Sequence, residues 1–249
     1  MKKIVKIFKW VGIILLILLA VIFATIFIAS EKKPTGVASP EADQLAQEML
    51  TAINKPAWDS TAYIQWTFKG MHEYLWDKER HFSKVSWGDY EVLLDINKIG
   101  GIARKDGALL SAEKSEEIIQ KAWEYWCNDS FWLNAPSKIF DPGTTRSLVT
   151  LKDEREGLMV SYASGGVTPG DSYVWILDEN KLPSSYKMWV KIIPVGGVEF
   201  TWDKWEELDT GAKIATWHEG LIDLDISDLE AGYSYRDMGL KEDPFVALY

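Results

Sequence analysis

Three histidines could bind a metal ion or transfer a proton: His72, His81 and His218. None lies in an HExxH or His-x-His arrangement, so local spacing places no two imidazoles to hold zinc. Each histidine is therefore expected at the surface or rim of a sheet.

Asp223, Asp225 and Asp228 have a superficial likeness to a calcium-binding loop. Their spacing departs from the EF-hand order, and the required glycine is absent. Their alternation with Leu224 and Ile226 predicts the solvent face of a strand instead. Neither a metal nor a cofactor is predicted.

Signatures of covalent or nucleotide chemistry are also missing from the sequence, which has no GxSxG elbow and no GxGxxG turn. Residues 164–171 contain three glycines but lack the lysine and the following helix of a phosphate-binding loop. They predict a constrained turn, with a ligand-contact loop as the alternative. Cys127 follows an apolar helical pattern and is expected to be a small buried side chain. No enzymatic activity is predicted, although paired carboxylates can also come from distant strands.

The aromatic strands give a stronger indication of function, since twelve of the 13 tryptophans follow residue 29. Alternation predicts one uniformly apolar strand face, made of Tyr186, Met188, Val190 and Ile192. Facing inward on a curved sheet, such side chains would enclose a groove suited to acyl chains. The predicted ligand-binding residues are Trp66, Phe68, Trp175, Tyr186, Met188, Phe200 and Trp202. The alternative is that two helices fill this space completely.

An uncharged apolar run covers residues 10–29. Twenty helical residues rise about 30 Å, enough to cross a bilayer. Four lysines precede the run: Lys2, Lys3, Lys6 and Lys9. Behind it, Lys32 and Lys33 are opposed by Glu31, so the charge bias predicts a cytoplasmic N-terminus. We predict that this segment is a retained membrane anchor. One alternative is a cleaved signal peptide, although the apolar region of a signal peptide is usually shorter. The other alternative is a buried helix of the protein core.

Charge argues against nucleic acid as a partner. Beyond residue 33 the chain carries 21 basic and 36 acidic side chains, a net charge of −15. Such a surface repels phosphate backbones. The single cysteine excludes an internal disulfide framework.

The first helix after the anchor has clear start and stop signals. Ser39 offers an N-cap oxygen and Pro40 suits the first helical position. One apolar stripe follows: Ala42, Leu45, Ala46, Met49, Leu50 and Ile53. Asn54 and Pro56 are expected to end the helix.

Most of the remaining chain has the period of two that is typical of strands. Strands are predicted at 62–69, 72–77, 80–87, 90–97, 146–152, 157–163, 172–178, 185–193, 197–206, 212–218 and 221–226. Short turns such as Gly100-Gly101 predict antiparallel pairing. A second helix begins after Ser111, and residues 128–145 are expected to be irregular because they contain Pro136 and Pro142.

These features resemble the lipoprotein-carrier superfamily of bacterial extracytoplasmic proteins (the LolA/LolB type) over about residues 40–230. The resemblance lies in the N-terminal amphipathic helix, the strand that begins Tyr63-Ile64-Gln65-Trp66, the Trp76-Asp77 pair and the mid-chain helix between strand sets. It implies a large curved antiparallel sheet, a half-open barrel, with two packed helices. Carriers of this type are soluble or lipid-anchored, whereas this chain is predicted to keep a membrane helix, and no functional residue is transferred from them.

The expected organisation is a cytoplasmic tip and transmembrane signal anchor at 1–30, a tether at 31–38 and an extracytoplasmic α+β domain at 39–249. The expected function is binding of an apolar ligand, either a lipid or a lipidated protein, at a bacterial cytoplasmic membrane that the chain crosses once. In a Gram-negative cell the domain would be periplasmic. An envelope scaffold without a small ligand is the first alternative, and a hydrolase acting on envelope material is the second.

Overall fold

The structure is a computed structural model that describes residues 30–163 and 170–249 and, before them, only Trp10, Ile13, Ile14 and Leu18. The predicted membrane helix over 10–29 therefore lies outside the described residues except at those four positions. Most of the predicted turn over 164–171 lies outside them as well. Within the described part of the chain, no helix is both long enough and apolar enough to cross a bilayer.

The first described helix, α1 (Pro40–Ala52), begins as its sequence predicts. The Oγ of Ser39 accepts a hydrogen bond from the backbone N–H of Ala42 at 3.3 Å, and Pro40 takes the first helical position. Five of the six residues of the apolar stripe are buried and Leu45 is partly buried, which confirms the amphipathic helix. A short helix, α2 (Lys55–Ser60), follows the left-handed residue Asn54 and was not predicted. Pro56 is tolerated in its first turn because the N–H it lacks would have no helical partner there.

A nine-stranded antiparallel sheet forms the larger layer of the fold. Its strands are β1 (Tyr63–Phe68), β2 (His72–Asp77), β3 (Phe82–Trp87), β4 (Tyr90–Asp95), β5 (Gly100–Lys105), β6 (Ala108–Leu109), β12 (Asp203–Glu207), β13 (Lys213–His218) and β14 (Leu224–Gly232). The strand order is β12-β13-β14-β1-β2-β3-β4-β5-β6. Strands β1 to β4 form the predicted meander, β5 and β6 extend it where a turn was predicted, and β14 returns to pair with β1.

A five-stranded antiparallel sheet forms the second layer, in the order β11-β10-β9-β8-β7. Its strands are β7 (Thr144–Thr150), β8 (Glu156–Tyr162), β9 (Ser172–Leu177), β10 (Pro183–Trp189) and β11 (Val198–Thr201). The chain passes between the sheets at Trp202, so the single strand predicted over 197–206 is two strands in different sheets. Neither sheet is closed, and the α+β class is confirmed.

The long helix α3 (Ala112–Asn134) corrects the prediction of an irregular stretch from residue 128. Its buried side chains continue at helical spacing through Asp129 and Leu133. Pro136 lies in a 3-10 turn (Ala135–Lys138) just after the helix, so it ends the helix without disrupting it. Ser111 occupies the N-cap position, but its side chain makes no capping hydrogen bond.

The main hydrophobic core contains residues from both sheets and from helices α1, α2 and α3. A smaller cluster lies on the outer face of the nine-stranded sheet, where Phe245 and Met238 of the C-terminal segment cover Tyr63 and Leu75. A third cluster lies on the outer face of the five-stranded sheet: Val149, Leu151, Met159 and Val174.

Candidate functional site

All seven predicted ligand-binding side chains are buried in the main core, and none is more than 5% exposed. On β10, Tyr186 and Met188 face the core, whereas Lys187 faces the opposite side of the sheet, as alternation predicts. The apolar face predicted on this strand ends sooner than expected. Ile192 lies beyond the end of β10 and is 70% exposed, so its predicted inward position is wrong.

The structure divides the aromatic residues into two groups. In the first, Trp66 stacks on Tyr74 with ring centroids 4.4 Å apart. In the second, Trp175 lies 5.1 Å from Tyr186 and 5.0 Å from Trp202. Phe200 joins the second group through Trp132 of α3, at 4.9 Å. Within the described chain no ring contact links the two groups, although all seven predicted residues belong to one core.

Buried polar atoms without partners are concentrated in both aromatic groups. Among the described residues, nine buried side-chain polar atoms have no hydrogen bond, and five of the nine are indole N–H groups. An indole nitrogen only donates, so these positions lack acceptors. The Nε1 atoms of Trp175 and Trp202 and the hydroxyl of Tyr186 belong to this set. Burial, followed by the neighbouring Tyr173 and Tyr162, raises the pKa of Tyr186 far above its ordinary value, so its hydroxyl keeps its proton.

His218 belongs to the second group, and the prediction that it lies at a rim is wrong. It is fully buried, and its ring centroid lies 4.4 Å from that of Trp202. Its Nδ1 lies 3.1 Å from the carbonyl oxygen of Thr201, which assigns the proton to Nδ1. Burial lowers the pKa of His218 to about 4, against weaker opposing effects of the Thr201 carbonyl and Asp203. Ile214 and Thr216 share its strand face and are also buried, so the period-two pattern of β13 was the signal that could have located it.

A crevice of about 840 Å³ opens between α1 and the five-stranded sheet. Its apolar lining includes Leu45 of α1 and Leu148, Leu158, Trp175 and Leu177 of the sheet. Trp175 lies at the floor of the crevice and has no exposed surface. The volume falls in the range of small-molecule sites, which is about 300–1,000 Å³.

Two ion pairs hold α1 over the crevice. Lys181, in the turn between β9 and β10, lies 3.6 Å from Glu48, and Arg146 of β7 lies 2.5 Å from Asp43. Most of these side chains are partly exposed, and such pairs contribute at most about 1 kcal/mol each. These pairs therefore add little to the hold on α1, which comes mainly from its apolar stripe in the core.

Sequence reasoning also missed a polar cluster between β2 and α3. The buried carboxylate of Asp129 lies 2.7 Å from Nδ1 of His72 and accepts a hydrogen bond of 2.6 Å from the hydroxyl of Tyr74. Such a pair can orient an imidazole for proton transfer, but in the described structure no serine, threonine or cysteine donates to His72. The cluster ties α3 to the sheet. These residues are distant in sequence and come into contact only in the folded structure.

The remaining candidates carry little chemistry. Burial raises the pKa of the Cys127 thiol to about 11, which disfavours the reactive thiolate. Within the described ranges, no group of three or more histidine, cysteine, aspartate or glutamate side chains is arranged to hold a metal ion.

Comparison with known proteins adds little to this geometry. No protein-family model matches the chain. No curated protein matches it either. Among solved structures, a DUF1329 family protein from Desulfovibrio piger ATCC 29098 is similar, with 12% identity and a TM-score of 0.38 over 82% of this chain and 96% of that one. A likeness of that strength assigns no function, and the candidate site stands on its own residues.

Proposed function

We propose that this chain is a membrane-anchored extracytoplasmic domain that binds an apolar ligand, a lipid or a lipidated protein, between α1 and the five-stranded sheet. The observation that carries the proposal is Trp175, which lines the floor of the crevice and whose buried indole N–H has no hydrogen-bond partner. The two sheets would then act as the halves of a curved, half-open barrel, as in the carriers that the sequence resembles.

The unpaired donors define the ligand's chemistry. Leaving a buried donor unsatisfied costs about 1–3 kcal/mol, which a ligand acceptor would recover. An acyl chain beside Leu45 and Leu158, with an ester or amide carbonyl at the Trp175 nitrogen, satisfies both the apolar walls and the missing acceptor. The proposed ligand therefore carries an acyl group and a carbonyl, with no need for a cation or a sugar.

The anchor sets where this binding takes place. The apolar run over 10–29, preceded by four lysines, supports a single-pass protein of a bacterial cytoplasmic membrane with its N-terminus in the cytoplasm. The domain would then meet ligands at the outer surface of that membrane, in the periplasm of a Gram-negative cell.

Uptake of a fluorescent acyl probe by the delipidated full chain in detergent micelles tests the proposal. Leu45→Trp fills the crevice and should lower probe affinity by about tenfold or more. Leu109→Trp, at a position on β6 that is 66% exposed, is the matched control and should bind as the unaltered chain does. Trp175→Phe removes the donor and keeps an aromatic ring, so it should weaken binding by about fivefold to tenfold.

Mass spectrometry of lipid that co-purifies with the extracted protein gives an independent measurement. Absence of both co-purified lipid and probe uptake would reject the binding function. Reproducible crosslinking of one protein partner in intact cells, with no lipid bound, would favour the scaffold alternative.

A further inference from the structure

The segment that follows the predicted anchor is fastened to one particular loop of the domain. The Oγ of Ser30 accepts a hydrogen bond of 3.0 Å from the N–H of Gly196, and the N–H of Glu31 donates to the carbonyl of Gly196 at 2.8 Å. The indole of Trp189 donates to the carbonyl of Glu31 at 2.9 Å. A Cβ on Gly196 would lie 2.6 Å from that same carbonyl oxygen, so only glycine permits this approach.

From Glu31 the segment continues across the outer face of the five-stranded sheet. Lys33 donates a hydrogen bond to the hydroxyl of Ser172 on β9, and Val37 forms a β-bridge with Leu148 of β7. Residues 31–38, predicted as a tether, thus lie on the sheet along their length. Because residues 31–38 are held against the sheet, the domain has little freedom to move relative to residue 30.

The loop beside Ser30 presents an apolar tip. Between β10 and β11 the sequence from 190 to 197 is Val-Lys-Ile-Ile-Pro-Val-Gly-Gly, and Ile192 is 70% exposed. The base of the loop is fixed, because the N–H of Lys191 donates to Asp171 at 3.1 Å and the N–H of Gly197 donates to the carbonyl of Met188 at 2.9 Å. A single exposed apolar side chain is common on protein surfaces, so the exposure of Ile192 indicates a contact only together with the position of its loop.

Chain continuity indicates that the surface nearest to this loop is the lipid bilayer. The apolar run ends at residue 29, one residue before the hydrogen bonds to Gly196. Adjacent Cα atoms are about 3.8 Å apart, so Gly196, at the C-terminal end of the loop, lies close to the point where the run ends. Three exposed lysines at this end, Lys32, Lys33 and Lys191, contrast with the acidic remainder of the domain and would be attracted to anionic lipid headgroups.

We propose that residues 191–195 form a second membrane contact, with Ile192 entering the interfacial region of the same bilayer that holds the anchor. This inference rests on the proposed anchor. Two contacts, one through the chain and one through the loop, fix the orientation of the five-stranded sheet relative to the bilayer.

Labelling of the full chain in vesicles of equal parts phosphatidylcholine and phosphatidylglycerol tests the inference. In a Cys127→Ser background, an environment-sensitive fluorophore is placed on Ile192→Cys or on the matched control Leu221→Cys. Leu221 is 75% exposed and lies in the turn between β13 and β14, next to the opposite end of β11. Quenching by lipids that carry a quencher in the upper acyl chain should be at least about fivefold stronger at 192 than at 221.

Flotation of the vesicles after an alkaline wash separates this inference from the anchor on which it rests. Co-flotation with strong quenching at 192 alone supports both. Co-flotation with equal, weak quenching at the two positions overturns the loop contact and leaves the anchor intact. Protein that does not float with the vesicles rejects the anchor and the loop contact together.

Discussion

The ammonium group of Lys187 lies 3.0 Å from one carboxylate oxygen of Glu31, although 156 residues of chain separate them. The Lys187 side chain is only 7% exposed, and its other acidic neighbour, Asp153, lies at 3.4 Å. This pair fastens the segment after the anchor to β10 of the five-stranded sheet. Lys187 is the more buried of the two partners, so removing its charge and removing the charge of Glu31 should have different effects on stability.

Glu31→Gln should lower the free energy of unfolding by about 1–3 kcal/mol, because it leaves a buried ammonium without its nearest counter-charge. Lys187→Met replaces the buried charge by an apolar chain of similar length and should cost less than about 1 kcal/mol. The double variant should match Lys187→Met. Urea unfolding of the full chain in detergent micelles measures all three.

A matched control for this ion pair lies on the exposed face of α3, where Lys114 and Glu117 are 2.8 Å apart. Glu117→Gln should leave the urea midpoint unchanged. Equal losses in Glu31→Gln and Lys187→Met, adding in the double variant, would contradict the coupling. Amide exchange over 30–38 should accelerate in Glu31→Gln if the segment is released as expected.

Gly101→Ala should lower the free energy of unfolding by about 3 kcal/mol or more, because the site excludes a side chain in two ways. Its φ is +153°, and an added Cβ would lie 1.9 Å from the carbonyl oxygen of Leu93. The adjacent Gly100→Ala is the control. Its nearest neighbour would be 3.9 Å away, so a change within about 0.5 kcal/mol is expected. Similar denaturation midpoints for the two variants would refute this account.

Gly101 also shows why part of the fold could not be read from the sequence. A Gly-Gly pair locally predicts a turn, yet β5 begins at Gly100 and Gly101 pairs with Leu94 within the sheet. That pairing depends on the position of β4, so the residues adjacent to Gly101 in the sequence do not indicate it. The start of α1 at Ser39 and Pro40 was predictable because capping uses residues within a few positions of each other.

In the candidate site, too, local patterns were predictable from the sequence and long-range contacts were not. The period-two pattern correctly predicted that Tyr186 and Met188 face the core, because the side-chain period is a property of the strand itself. The contact of His72 with Asp129 joins β2 to α3 and could not be inferred from spacing. The burial of His218 is an intermediate case, because its strand pattern carried the information but its polarity argued for the surface.

Removing one hydroxyl should have opposite effects at two buried tyrosines. Tyr74→Phe deletes the 2.6 Å donor to the buried carboxylate of Asp129 and should destabilise the domain by about 1.5–3 kcal/mol. Tyr186→Phe deletes a hydroxyl with no partner in the described structure and should be neutral or stabilise the delipidated protein by up to about 1 kcal/mol. Chemical denaturation of both variants side by side provides the measurement. A loss at Tyr186 equal to that at Tyr74 would show that its hydroxyl is satisfied in solution.

The buried imidazole of His218 should make stability depend on pH. Its pKa is lowered to about 4 in the folded protein, whereas an unfolded histidine titrates near about 6.5. Between these values the unfolded chain binds more protons, so the free energy of unfolding rises with pH. This contribution is complete above the unfolded pKa and is lost as pH falls toward the folded one. A separation of about 2.5 pKa units corresponds to about 3 kcal/mol.

His218→Gln should abolish this part of the pH dependence. Its amide can still donate to the carbonyl of Thr201, but it does not titrate, so the slope of unfolding free energy between pH 7 and pH 5 should flatten relative to the unaltered chain. Loss of stability from carboxylates begins mainly below about pH 5 and should be common to both proteins. Ile214→Val, on the same strand face, is the control: it should lower stability by about 1 kcal/mol at every pH and keep the original slope. An unchanged slope in His218→Gln would mean that His218 is protonated or solvated in the folded protein, and that the second aromatic group is open to water.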